Sequence, residues 1–163
     1  MTASKVPEST APRLPDELLE KSGFLMLRLA LGFKARALDT LEADGFSQYH
    51  YSLLAVVGDQ AHKAQTTIAS ALGLDPSQLV GVLDALEEKR LIARQRDPND
   101  RRRQLVSLTA KGRQQLARLR TKIDRLEDEL FAPLDAKTRK DLHDVLLRLA
   151  AYHEPNCFPG PCP

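Results

Sequence analysis

The chain has 163 residues, 42% hydrophobic and 28% charged, a balance that suits one folded domain with an oligomerisation arm and excludes a disordered chain. The net charge is only +2, yet from Lys89 to Lys122 twelve Lys or Arg face just Asp97 and Asp100. This window of +10 leaves −8 for the rest and points to a polyanion-facing surface.

Met1 to Pro15, rich in Ser, Thr and Pro, reads as a flexible lead-in. A long helix is expected from Asp16 to Ala43, in a segment reaching residue 46. Leu18, Leu19, Phe24, Leu25, Leu27, Leu29, Leu31, Phe33 and Leu38 populate more than one of its faces. Such a helix needs partners on several sides, namely its own domain and a second subunit. Gly45 is its C-terminal breaker. Ser47 then caps a helix running through Val57, with Tyr51, Leu53, Leu54 and Val57 on its apolar side. Gly58 is expected to stop that helix, and Asp59 to Lys63 to form a loop.

Two short helical units follow on either side of Gly73. Ala64 to Leu72 repeats Ile68, Ala69 and Leu72 on one face. Asp75 caps the next helix, and Pro76 occupies its first turn, where a missing N–H costs nothing. This helix buries Leu79, Val82, Leu83 and Leu86 and leaves Ser77, Gln78 and Gly81 outward. A short helix, a Gly-containing turn and a second helix with small polar residues near its start form a helix-turn-helix pattern.

Leu91 to Arg96 and Gln104 to Leu108 read as two short strands. Between them Asp97-Pro98-Asn99-Asp100 has turn chemistry: Asp97 can bond its own backbone, and Pro98 arrives with φ preset. Arg101, Arg102 and Arg103 load the tip of the resulting ribbon, and Arg94 and Arg96 lie on its first strand. Guanidinium groups on a narrow ribbon suit the minor groove, whose negative potential attracts arginine. The alternative is a solvated hairpin whose charges serve solubility alone.

A helix-turn-helix followed by an arginine-tipped hairpin is a winged helix-turn-helix, and here the chain resembles the MarR family of bacterial transcriptional regulators. The resemblance is carried by Leu72-Gly73-Leu74-Asp75, by Leu83-Asp84-Ala85-Leu86-Glu87-Glu88-Lys89-Arg90-Leu91-Ile92, and above all by Asp97-Pro98-Asn99-Asp100-Arg101-Arg102 continuing to Val106-Ser107-Leu108-Thr109-Ala110-Lys111-Gly112. It spans about Asp16 to His153. It implies double-stranded DNA as partner, with the Asp100 carboxylate orienting the Arg102 guanidinium toward the minor groove. It also implies a recognition helix that brings Ser77, Gln78 and Gly81 near base edges in the major groove; Gln78 has the amide geometry to pair with adenine. Pro76 and Gly81 stand where many relatives carry polar or basic residues, so base readout is expected to be sparse.

After the wing, Thr109 caps a helix to about Phe131, with Leu116, Leu119, Ile123, Leu126 and Leu130 in three-four spacing. Pro133 breaks the chain, and Asp135 caps a last helix lined by Leu142, Val145, Leu146 and Leu149. The expected fold is mainly α with a small β-hairpin wing. The winged helix-turn-helix lobe occupies residues 47–109, and dimerisation helices occupy 16–46 and 110–153. In the resembled family the terminal helices interlock into a two-fold dimer, which implies a homodimer on a roughly palindromic operator.

Relatives often bind small aromatic acids or phenols. The residues proposed for such an effector are Phe24, Arg28, Phe46, Tyr49, His50 and Tyr51, an arginine beside aromatic rings being able to hold a carboxylate over an apolar floor. The competing reading makes the tyrosines core residues and pairs Arg28 across the dimer. Cys157 and Cys162 lie in a proline-rich tail, residues 154–163, with no basic group evidently placed to activate them. A redox sensor through these thiols, or a metal set with His143 and His153, is the weaker alternative, as is an architectural DNA binder. No cofactor, metal or catalytic residue is expected: phosphate loops, nucleophile motifs and paired carboxylates are absent from the sequence. No apolar run approaches a membrane span and no signal-peptide core is present, so a cytoplasmic location without a membrane partner is expected.

Overall fold

A computed structural model of the chain describes residues 12–59 and 63–154. Its elements are α1 (Asp16–Leu19), α2 (Ser22–Glu42), α3 (Gln48–Gly58), β1 (Lys63–Ala64), α4 (Gln65–Leu72), α5 (Pro76–Glu88), β2 (Ile92–Arg96), β3 (Gln104–Leu108), α6 (Ala110–Leu130) and α7 (Ala136–His153). Two compact units are present, Ala37–Arg125 on the one hand and Met1–Arg36 with Leu126–Pro163 on the other. Both divisions fall inside helices, α2 and α6. The reason is burial: Leu41 late in α2 and Leu116 and Leu119 early in α6 belong to the central core.

In the central unit Leu53, Leu54 and Val57 of α3, Ile68 of α4, Leu79, Leu83 and Leu86 of α5, and Val106 of β3 close one apolar cluster. The three-residue spacings on α5 and the alternation on β3 place these side chains on inward faces. Helix α3 ends with Gly58 as its last residue, one position beyond the expected Val57. A Cβ there would come within 2.7 Å of Leu116 Cδ2, so the glycine permits close packing. Gly45 and Gly73 do act as terminators, both in the left-handed region with φ of 74° and 61°.

Lys63 and Ala64, expected in a loop, form a third strand. Lys63 pairs with Val106 and Ala64 with Leu105, giving the antiparallel order β1-β3-β2. Two residues are too few for any periodicity to announce them. The β2–β3 ribbon pairs antiparallel, from Ile92 opposite Leu108 to Arg96 opposite Gln104.

Helix α5 ends on Arg90, a non-glycine residue at φ 59°. Leu91 N–H donates to Leu86 O at 2.9 Å, a closure that needs the left-handed turn. Thr109 Oγ1 donates to Arg90 O at 2.8 Å and holds that turn from the start of α6. Thr109 also caps α6, its Oγ1 accepting from Gly112 N–H at 2.9 Å.

The second unit is built differently. The single helix expected from Asp16 breaks after Leu19, where Ser22-Gly23, a weak helix-forming pair, starts α2. Asp135 caps α7 by accepting from Thr138 N–H at 2.7 Å. Among the described residues every fully buried hydrophobic lies between Leu41 and Leu119, so this unit holds none. It exposes Leu25, Met26, Leu27, Leu29, Leu31, Val145, Leu149 and Tyr152 instead.

Candidate nucleic-acid interface

Asp75 organises the first of the two surfaces. Its Oδ1 accepts from the N–H groups of Ser77 and Gln78, both at 2.9 Å, and from Ser77 Oγ at 2.6 Å. Gln78 Oε1 returns a contact to Asp75 N–H at 3.4 Å, completing a capping box. The Ser77 hydroxyl and the Gln78 amide bond hold the Asp75 carboxyl below its usual range. Ser77 and Gln78 are exposed, as expected, and their side chains serve the cap. The Gln78 Nε2 amide remains available to donate. Gly81 has open space beside its Cα, and Val80, 46% exposed, shares this outer face. Val80 was missed in the sequence because a valine between Leu79 and Val82 reads as core; its offset from the 79–83–86 stripe was the available signal.

The wing tip is stiffened by its own side chains. Asp97 Oδ1 accepts from Asn99 N–H at 2.9 Å, the bond expected of it. The hydrogen-bonded turn comes three residues later than expected, Arg103 N–H donating to Asp100 O at 2.9 Å. Asp97 N–H donates to Arg103 O at 3.0 Å and closes the loop. Asp100 Oδ1 accepts from the main-chain N–H of Arg102 at 3.0 Å, so it shapes the turn and does not hold the Arg102 guanidinium. Among the described residues no carboxylate pairs with Arg96, Arg101, Arg102 or Arg103.

Arg94, expected among the DNA contacts, is held through its guanidinium by Asp84 and Glu87 of α5, and its side chain is 23% exposed. The alternation of β2 turns it toward α5 while Arg96, two residues on, lies beyond the reach of that helix's carboxylates.

Among the aromatic residues proposed for an effector, Phe46 and His50 meet edge to face with ring centres 6.2 Å apart. Phe46 is a core residue, 8% exposed, with Lys89 Nζ 5.6 Å from its ring centre. Tyr51 packs half-buried against the same core, whereas Tyr49 is exposed. His50 is the N3 residue of a capping box: its N–H donates to Ser47 Oγ at 3.2 Å, and its Nδ1 accepts from Ser47 N–H at 2.9 Å. Phe24 and Arg28 lie in the other unit. There Arg28, Leu29, Gly32, Phe33, Arg36 and Leu130 line a groove, in which Arg36 pairs with Glu129. Cys157 and Cys162 lie outside the described residues. Among the described ones no cluster of His, Cys, Asp and Glu suits a metal, and no helix is long and apolar enough to cross a membrane.

Burial, and then the positive charge of Lys89, lower the His50 pKa. A base with a depressed folded pKa adds stability above its unfolded value of about 6.5, and that stability is lost as pH falls toward the folded value. Melting temperature is therefore expected to drop between about pH 7 and about pH 5. In His50→Gln, which keeps a capping-box acceptor, the drop is expected to be smaller. Thermal melts of both proteins across that range check this; superimposable pH profiles would refute it.

The arrangement of a capped helix beside an arginine-tipped ribbon is shared with known proteins. The model of the MarR family matches residues 46–103. A protein of Thauera aromatica named as a transcriptional regulator for the hcr operon is 36% identical over 115 residues, 71% of this chain and 68% of that protein. The structure of the transcriptional repressor CouR bound to a 23-mer DNA duplex superposes with a TM-score of 0.73 at 33% identity, over 85% of this chain and 99% of the other. CouR from Rhodococcus jostii RHA1 bound to p-coumaroyl-CoA gives 0.69 at 29% identity, over 93% and 98%. With the family's wing signature on a stiffened ribbon and the family's fold across both terminal helices, the chain belongs to the MarR family of DNA-binding transcriptional regulators.

Proposed function

We propose that the chain is a ligand-responsive repressor that acts as a homodimer on a pseudo-palindromic operator. The observation that carries the reading is the wing tip, where Arg101, Arg102 and Arg103 stand exposed on a self-braced loop without carboxylate partners. In this reading Arg102 enters the minor groove, and Arg96, Arg101 and Arg103 meet phosphates. Gln78 and Ser77 face base edges in the major groove, where Val80 meets a thymine methyl group. Gly81 lets the helix approach closely.

The exposed leucines of α2 and the bare apolar face of α7 support dimerisation, because a unit with no fully buried hydrophobic of its own needs a second chain to cover it. Two wings and two recognition helices then meet one duplex with half-sites about one helical turn apart. For the effector, the groove lined by Arg28, Leu29 and Phe33 supports an aromatic or phenolic acid, or a thioester such as the p-coumaroyl-CoA bound to CouR. A ligand that fits only one spacing of the reading heads shifts the population away from the operator-competent state. Phe24 and Tyr49 remain candidates; Phe46, His50 and Tyr51 are committed to core and cap.

Light scattering and footprinting on the intergenic DNA beside the gene test the proposal together. A two-chain mass and protection of a symmetric site, relieved by an aromatic acid that neighbouring gene products process, are expected. A one-chain mass, or no preference over competitor DNA in modest salt, would overturn it.

A further inference from the structure

Helix α5 and the wing can read one duplex together only if their spacing is held. Arg94 lies on β2 opposite Val106, at the middle of the ribbon. Its Nε donates to Glu87 Oε2 at 2.9 Å, a second guanidinium nitrogen bonds the same oxygen, and Asp84 Oδ1 stands 2.7 Å from that nitrogen. Asp84 and Glu87 are one turn apart on α5; one guanidinium nitrogen meets both carboxylates, and Nε adds a further bond to Glu87 in a fixed fork geometry that an ammonium lacks. Hydrogen bonding by Arg94 is the largest influence on the Glu87 carboxyl and lowers its pKa. The neighbouring cations of the ribbon, Arg96 and Arg101 to Arg103, have no such partners.

Two carboxylates in a lobe that approaches a polyanion are an electrostatic liability. The bridge to β2 gives them a compensating role. We infer that Arg94 is a positioning residue: by joining Asp84 and Glu87 to β2 it sets the wing at a fixed distance and angle from the recognition helix, without touching DNA. The inference rests on α5 and the wing being the DNA-reading pair.

The sign of a carboxylate replacement separates this role from its rivals. Neutralising Glu87 removes a negative charge from the lobe, so electrostatics alone would tighten DNA binding. A positioning role requires the opposite. With the full-length protein, a duplex selected by the wild-type chain from a random pool and a scrambled duplex serve as probes. Glu87→Gln is expected to weaken the selected complex by about fivefold or more. Affinity for the scrambled duplex should change less than about twofold, and the dependence of log K on log salt should stay the same, since no phosphate contact is lost. Arg94→Lys is expected to give an intermediate loss, and it provides the reading if Glu87→Gln does not fold.

Unchanged or tighter binding of the selected duplex by Glu87→Gln overturns the inference while the recognition reading stands. So does an Arg94→Lys variant as tight as wild type, or an Arg94→Ala variant whose salt slope falls as a phosphate ligand's would. If the wild-type chain selects no sequence from the pool, the recognition reading fails and carries this inference with it.

Discussion

Gly112→Ala should destabilise the protein by about 3 kcal/mol, the upper end of what a single added methyl group does to a packed site. Gly112 lies in the first turn of α6 and is buried. A Cβ built on it would stand 1.9 Å from the carbonyl oxygen of Leu91 and 2.9 Å from its carbonyl carbon. Those are main-chain atoms and cannot rotate away. The same carbonyl accepts from Thr109 N–H at 3.0 Å, and Lys111 Nζ bonds Lys89 O at 2.9 Å beside it. The start of α6 is thus riveted to the segment where α5 passes into β2. Relief of the clash has to pull α6 away or shift the root of the wing, so DNA affinity should fall along with the melting temperature. Denaturant titration with an unchanged slope and a lower midpoint is the expected record. A variant as stable as wild type would mean that the approach of α6 to Leu91 is looser than described.

Arg102→Ala is expected to weaken operator binding by tenfold or more, since each lost groove contact is worth about 1–3 kcal/mol and the proposed dimer would lose two. Arg118→Ala, an exposed cation on α6, should change it by less than about twofold. The two variants remove the same charge, so a difference between them isolates placement from net charge. Arg102 follows Asp100, whose carboxylate fixes the Arg102 main chain, and both lie in a loop closed by Asp97 and Arg103. A pre-shaped loop loses less conformational freedom on binding, which is why its loss should be costly. Equal losses in the two variants, measured at one salt concentration, would argue against the wing as the minor-groove element and for general electrostatic attraction.

Features set by neighbours three or four residues away were legible from the amino-acid order. The caps at Ser47, Asp75, Thr109 and Asp135, the left-handed glycines Gly45 and Gly73, and the Asp97 turn all close bonds within such a span. A side chain one helical turn away is held near by the covalent chain itself, so its chemistry predicts its partner. The inward stripe of α5 was legible for the same reason, as was the surplus of apolar side chains on α2.

Contacts across longer stretches of chain were decided by the tertiary fold alone. Arg94 and Arg96 are the same residue two positions apart on β2, yet Asp84 and Glu87 claim one and leave the other to solvent. The Phe46 ring meets a cation, and the His50 pKa falls further than burial alone would take it, because Lys89, some forty positions later, returns to their side. Gly58 and Gly112 look like ordinary helix breakers until Leu116 and Leu91 are seen pressed against them. Which of several identical side chains meets a distant partner depends on how the elements pack. Packing is a sum of many weak, non-directional burials, from which no single residue's partner can be read in advance.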